Sequence, residues 1–285
     1  MADSSRFESL PGKLPSISGG QPHTAVFGSH KVHYLTVGEG AVTLVFIHGW
    51  ACNLNFWHEQ AAAFAGRAKL VFIDLPGHGR SDKPNTAYTM DFLAGAVVAV
   101  LRDAKVDKAV FIGHSMGASV ICRVYQQAPE KVTAIVSVDG LLCRPPGTPE
   151  QAMKFVSQFR VPDYRVHAAR FFSTFFPCPG TEPLRDLVIA EMLATPQHVI
   201  AAEAEGMMGV GQSDWALKSV AVPVVVLNAR GPLWSDQYQQ YVQSLSSRVD
   251  YRIYDGVGHF LMLEKPAEFN ANLTETLEKF KLLPK

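Results

Sequence analysis

The pentapeptide Gly113-His114-Ser115-Met116-Gly117 sets a serine between two glycines, after an apolar run and at the head of a helical pattern. In a strand–turn–helix context this G-x-S-x-G spacing is that of a nucleophile elbow. The turn is tight enough to strain the serine backbone, and side chains two positions to either side would collide, so glycine is needed at both flanks. The hydroxyl is lifted clear of the strands at a helix N-terminus, where backbone N–H groups favour negative charge. A hydroxyl held this way can attack an acyl carbon once a base takes its proton.

The chain has ten histidines, so position has to choose the base. His259 lies in Gly256-Val257-Gly258-His259-Phe260, a glycine-rich loop after the last expected strand. In open α/β sheets, ligands bind beyond that carboxyl edge. His114, next to the serine in sequence, is expected to point away from it and pack. His78, within Pro76-Gly77-His78-Gly79-Arg80-Ser81, is expected in a structural turn. The oxyanion of an acyl-transfer intermediate needs donors already in place. One is the Met116 backbone N–H; the second is expected from His48-Gly49-Trp50, with the Trp50 N–H as candidate. The Trp50 indole either lines an acyl pocket or packs in the core.

These groups need elements to carry them. VHYLTV (32–37) and VTLVFI (42–47) read as strands, because β-branched and aromatic residues dominate. LVFID (70–74), AVFIG (109–113) and TAIVSVD (133–139) are continuous apolar runs, as in strands covered on both faces. Residues 91–103 and 116–127 have helical length and periodicity. VPVVVL (222–227) and YRIYD (251–255) resume the strand series, and a last helix starts near Pro266. The alternation predicts an α/β fold: a mostly parallel central sheet flanked by helices. Residues 1–25, rich in Ser, Gly and Pro, are expected as a loose N-terminal arm. A core domain is expected over 26–143 and 216–285. Between them, 144–215 has no convincing strand but helical patches dense in Phe and Met, among them Phe155, Phe171, Phe175, Met207 and Met208. An unstructured loop of that length would be exceptional, so it is expected to form an inserted helical cap.

Composition narrows the function classes. With 26 basic and 26 acidic residues the formal charge is zero, which argues against a nucleic-acid or anionic-membrane partner. MADSSRFESLPGKLPS has no basic region followed by an apolar run and does not read as a secretory signal, and no apolar stretch nears the roughly 18 residues of a membrane span. Cys52, Cys122, Cys143 and Cys178 show no CxxC pairing and read as reduced thiols, which suits a cytoplasmic protein. Neither an HExxH pair nor a G-x-x-x-x-G-K-[ST] loop occurs, so no metal or cofactor is expected.

HGW (48–50), GHSMG (113–117), Asp74-Leu75-Pro76-Gly77-His78-Gly79-Arg80-Ser81 and GVGHFLMLEKPAEF (256–269) together resemble the α/β-hydrolase superfamily over roughly 30–140 and 220–280. The HGW and GHSMG pairing is similar to that of small bacterial serine esterases and cofactor-free perhydrolases, and the cap to that of carbon–carbon-bond and epoxide hydrolases. A dehalogenase or epoxide hydrolase would need a carboxylate where Ser115 stands. The resemblance implies a Ser-His-Asp triad, but this chain departs from the family at the acid. Most members carry an Asp just after the penultimate strand, and that position falls here near Gly231 or Pro232. Asp139, at the end of TAIVSVD, is the favoured substitute, as in some members. Asp236 is the alternative, although Ser235-Asp236 also reads as a helix start, and a dyad without an acid is the third option. The implied function is hydrolysis of small uncharged, apolar carboxylic esters through an acyl-enzyme. Cofactor-free dioxygenation, carbon–carbon hydrolysis or lyase action in the same pocket, or a ligand-binding receptor with negligible turnover, are the other readings.

Overall fold

The computed structural model describes residues 13–145, 147–210 and 214–283. Its centre is an eight-stranded sheet in the order β1-β2-β4-β3-β5-β6-β7-β8. β1 (Gln21–Phe27) and β2 (His30–Val37) form an antiparallel hairpin, and β2 also runs antiparallel to β4 (Lys69–Ile73). From β4 onward all neighbours are parallel: β3 (Thr43–Ile47), β5 (Ala109–His114), β6 (Val132–Val138), β7 (Val224–Ala229) and β8 (Val249–Tyr254). The apolar runs of β3, β4, β5 and β7 are buried along nearly their whole length, which is why they show no period-two alternation. Helices α1 (His58–Phe64), α2 (Met90–Asp103), α3 (Met116–Gln127), α8 (Asp236–Leu245), α9 (Leu261–Glu264) and α10 (Pro266–Lys279) complete the α/β core.

One expectation fails at the N-terminus. Residues 1–12 of the expected arm lie outside the described residues, but β1 begins at Gln21, inside the stretch expected to be loose. QPHTAVF carries no apolar run because it is an edge strand with only Ala25 buried, and an edge tolerates Pro22. Residues 13–20 are held as well. Leu14 and Ile17 are buried, the Leu14 N–H donates to Glu191 Oε1 (3.1 Å), and the Ile17 N–H donates to Asn55 Oδ1 (3.3 Å).

Between β6 and β7 the chain forms α4 (Pro149–Ser157), α5 (Tyr164–Ser173), α6 (Glu182–Met192) and α7 (Gln197–Met207). This insertion is pinned to the core by polar contacts as well as apolar ones. The Trp50 indole N–H donates to the Ile200 carbonyl (3.0 Å), and the Thr195 hydroxyl donates to the Ala51 carbonyl (3.1 Å). His78 Nε2 lies 3.1 Å from Glu203 Oε2, with both side chains fully buried. The turn expected to carry His78 is therefore also a docking point for α7. Gly206 lets the insertion approach closely, since a Cβ there would sit 2.1 Å from the Tyr88 carbonyl oxygen.

Candidate active site

Ser115 stands between β5 and α3 with φ +53°, a backbone conformation that L-residues seldom adopt. Its N–H is fixed to the Val138 carbonyl of β6 (2.9 Å). The flanking glycines have steric causes. A Cβ on Gly113 would lie 2.5 Å from the Gly117 backbone, and one on Gly117 would lie 2.4 Å from the Ile47 carbonyl oxygen. The Ser115 hydroxyl makes no hydrogen bond with another described residue, and its side chain faces a cavity that His259 also lines.

Asp139 leaves the end of β6 with φ +45° and is 7% exposed. Its Oδ1 accepts the Ala229 N–H at the end of β7 (2.8 Å), and its Oδ2 lies 2.5 Å from His259 Nδ1. The carboxylate therefore holds His259 as the tautomer with Nδ1–H, leaving the Nε2 lone pair available. Asp236 is exposed at the head of α8, where Ser235 caps the helix by accepting the Tyr238 N–H (3.3 Å). Of the two acids weighed from sequence, Asp139 is the one beside His259.

The loop bearing His259 is tied down on every side. Glu264 of α9 accepts the N–H groups of Gly258 (2.9 Å) and Phe260 (3.2 Å), and burial pushes its carboxyl above the usual range. The His259 N–H donates to the Phe175 carbonyl (2.9 Å), and its own carbonyl accepts from His114 Nε2 (2.9 Å). His114 makes no hydrogen bond with the Ser115 hydroxyl and braces the base loop. Burial, and next the charge on His259, hold its pKa well below the usual imidazole range. The His114 bond could not be assigned from sequence, because it joins segments 145 residues apart, and the Glu264 bonds are local but end on backbone N–H groups. The capping-like spacing from Phe260 to Glu264 was the one local signal.

Met116 is the first residue of α3, so its N–H has no intrahelical acceptor. Neither that amide nor the Trp50 amide hydrogen-bonds to another described residue. The loop before Trp50 is shaped by His48, whose Nδ1–H donates to the Gly49 carbonyl (2.8 Å) while Nε2 accepts the Leu75 N–H (3.0 Å). Burial, and next the charge of His78, push His48 down to about 3, so the ring is neutral and keeps this arrangement. Gly49 is required because a Cβ there would lie 2.8 Å from His114 Nδ1 and 3.1 Å from Ser115 Cβ. The Trp50 indole packs in the core and also faces the cavity. It is buried against Phe159 and Phe172, with ring centroids 5.0 and 5.3 Å away.

The cavity above Ser115 holds about 260 Å³. Phe155, Phe171, Phe175, Met207 and Met208 of the insertion form one wall, and Leu233 and Trp234 after β7 form another. Trp234 and Leu233 follow Gly231 and Pro232, near which the usual acid position was expected to fall. Among the described residues no Lys or Arg side chain lines the cavity.

This sheet order, with an elbow serine, a β6 aspartate and a late histidine at its carboxyl edge, defines a class. The sequence profile of the alpha/beta hydrolase fold family matches residues 42–266, and the chain belongs to that family. It is a hydrolase-fold enzyme, and its relatives include esterases. The chain is 27% identical to the pimeloyl-[acyl-carrier protein] methyl ester esterase of Klebsiella pneumoniae over 84% of this chain and 95% of that protein. It is 26% identical to the dihydrolipoyllysine-residue acetyltransferase component of the acetoin cleaving system of Cupriavidus necator, over 87% of this chain. It spans about two thirds of that relative's length (66%). Among solved structures it matches Est816, described as an N-acyl homoserine lactone degrading enzyme, with a TM-score of 0.76 and 27% identity, covering 89% of this chain and 99% of that one. No helix among the described residues is long and apolar enough to cross a membrane.

Proposed function

We propose that the chain is a serine esterase that cleaves small uncharged carboxylic esters or lactones through an acyl-enzyme. The observation that carries this reading is the Asp139–His259 hydrogen bond at the cavity that also receives Ser115. His259 Nε2 takes the Ser115 proton as Oγ bonds to the acyl carbon, and the carbonyl electrons move onto oxygen. The Trp50 and Met116 amides, which have no other acceptor among the described residues, stabilise that oxyanion, each contributing on the order of 3 kcal/mol. As the tetrahedral intermediate collapses, the acyl–oxygen bond breaks and His259 delivers the proton to the leaving alcohol. Water then attacks the acyl-enzyme by the same route in reverse, releasing acid and Ser115. Asp139 keeps His259 in the productive tautomer and stabilises its cationic form.

The aromatic and thioether walls, with no lining cation among the described residues, favour a neutral and apolar substrate. A volume of about 260 Å³ suits acyl groups of short to medium length. The names of relatives at 27% identity refer to a methyl ester and a lactone, both acyl–oxygen compounds. The test is a series of aryl esters of rising acyl length with wild-type protein and Ser115→Ala. The reading expects a short- to medium-chain optimum that vanishes in Ser115→Ala. A strict demand for an anionic acyl group would overturn the substrate class, and turnover retained in Ser115→Ala would overturn the mechanism.

A further inference from the structure

The insertion does more than roof the cavity: it reaches the base itself. Phe175 lies just past α5, where the last turn tightens, its own N–H bonding to the Phe172 carbonyl (3.1 Å). A carbonyl at a helix end has no partner within the helix. That of Phe175 is satisfied by the His259 N–H (2.9 Å). The Phe175 ring lies 4.5 Å from the His259 imidazole, tilted by 35°, while His114 stands on that imidazole at 4.6 Å. Gly258 makes the approach possible, because a Cβ there would sit 2.2 Å from the Phe175 carbonyl oxygen. The same segment also reaches the oxyanion loop. Phe171 and Phe172 lie 5.2 and 6.1 Å from Phe175, and 5.9 and 5.3 Å from Trp50. A continuous run of rings therefore links the loop that carries one amide donor to the imidazole that moves the proton.

From this geometry we infer that Phe175 is a positioning residue for His259, fixing the imidazole plane from the insertion side. The inference rests on the serine-esterase reading above. The ring and His114 confine the imidazole, so rotation about its side-chain torsions would lengthen the bond to Asp139. The π-face of Phe175 also attracts the positive charge that His259 carries while Ser115 attacks. An aliphatic side chain at 175 would keep the backbone bond to His259 and the apolar wall, but would let the ring turn. Misplacement of a catalytic group by about 1 Å is enough to lower a rate on the order of a hundredfold.

The experiment measures kcat and KM on one aryl ester for Phe175→Leu, Phe175→Met and Phe175→Tyr. It also follows the low-field proton resonance of the His259–Asp139 hydrogen bond. In the aliphatic variants kcat is expected to fall by about thirtyfold, with KM moving far less and the resonance broadened. Phe175→Tyr restores most of the rate and the sharp resonance. A loss carried by KM alone, an aliphatic variant with wild-type kcat, or a tyrosine variant as impaired as leucine would each overturn the inference. Ser115→Ala is run beside them. If it stays active the esterase reading falls, whereas an inactive Ser115→Ala beside an unimpaired Phe175→Leu removes only the role of Phe175.

Discussion

Asp139 and His259 are 120 residues apart in sequence, yet Asp139 Oδ2 lies 2.5 Å from His259 Nδ1. The carboxylate is not free to choose another partner. Its second oxygen accepts the Ala229 N–H, and its own N–H donates to the Leu227 carbonyl (2.9 Å), so the ends of β6 and β7 aim it at the imidazole. Asp139→Asn is expected to keep the fold and to lower kcat by about 10³-fold or more, because an amide stabilises the wrong tautomer and no longer supports the cation. Asp236→Asn, at an exposed helix start, is expected to leave kcat unchanged. Steady-state kinetics of both variants on one aryl ester decide the matter. A large loss in Asp236→Asn, or none in Asp139→Asn, contradicts the assignment.

Gly117→Ala tests the elbow's packing. The added methyl would lie 2.4 Å from the Ile47 carbonyl oxygen and 2.8 Å from that of His48, both backbone atoms that cannot turn aside. Strain of about 3 kcal/mol is expected, read as a lowered urea midpoint, together with reduced kcat. A midpoint equal to that of the wild type would contradict the contact.

Trp50→Leu separates the amide of this residue from its side chain. The substitution removes a ring packed among Phe155, Phe159, Phe171 and Phe172, and with it the indole hydrogen bond to the Ile200 carbonyl. A loss of about 3 kcal/mol in stability is expected from the cavity and the lost hydrogen bond. Denaturant unfolding measures it. An unchanged midpoint would mean that the insertion is held without this residue.

Stability should fall in mild acid. Burial, followed by a neighbouring imidazole in each case, holds His48 at about 3 and His114 well below the usual 6.5. Below pH 6.5 the unfolded chain therefore binds two protons that the folded chain refuses, so the unfolded state gains. Each group removes about 1.4 kcal/mol per pH unit until its folded value is reached. His78 differs: burial opposes its cation, but the charge and hydrogen bond of Glu203 leave its pKa raised overall, so below 6.5 it is protonated in both states. Urea midpoints are expected to drop steadily from pH 7 to pH 5, with about half the slope in His114→Gln. A flat profile would contradict the buried neutral rings.

Much of this arrangement is legible in the sequence. The seven predicted strands are present: β3, β4, β5, β6 and β7 leave long apolar runs because both faces are buried, β2 and the edge strand β8 are marked by β-branched and aromatic residues, and Ser115 and His259 follow strands where punctuation by glycine is strong. β1 was not legible, since a mostly exposed edge strand such as QPHTAVF needs no apolar run. The choice between Asp139 and Asp236 was open because both follow strands. What separates them is the direction in which the chain leaves β6, and a positive φ at Asp139 has no sequence signature. The bonds from Phe175, His114 and Glu264 to the His259 loop are hidden for a different reason: each ends on backbone of that loop, and the Phe175 bond is backbone at both ends, so no residue type marks the partner.

In the proposed mechanism the Ser115 hydroxyl is a nucleophile activated by His259. The most direct measurement treats wild-type protein, Ser115→Ala and His259→Ala with an aryl organophosphonate and locates the adduct by peptide mass spectrometry. One phosphonyl group is expected on Ser115 in the wild type, none in Ser115→Ala, and labelling slowed by orders of magnitude in His259→Ala. An unlabelled Ser115 in an otherwise active enzyme, or equal labelling rates with and without His259, would contradict this mechanism.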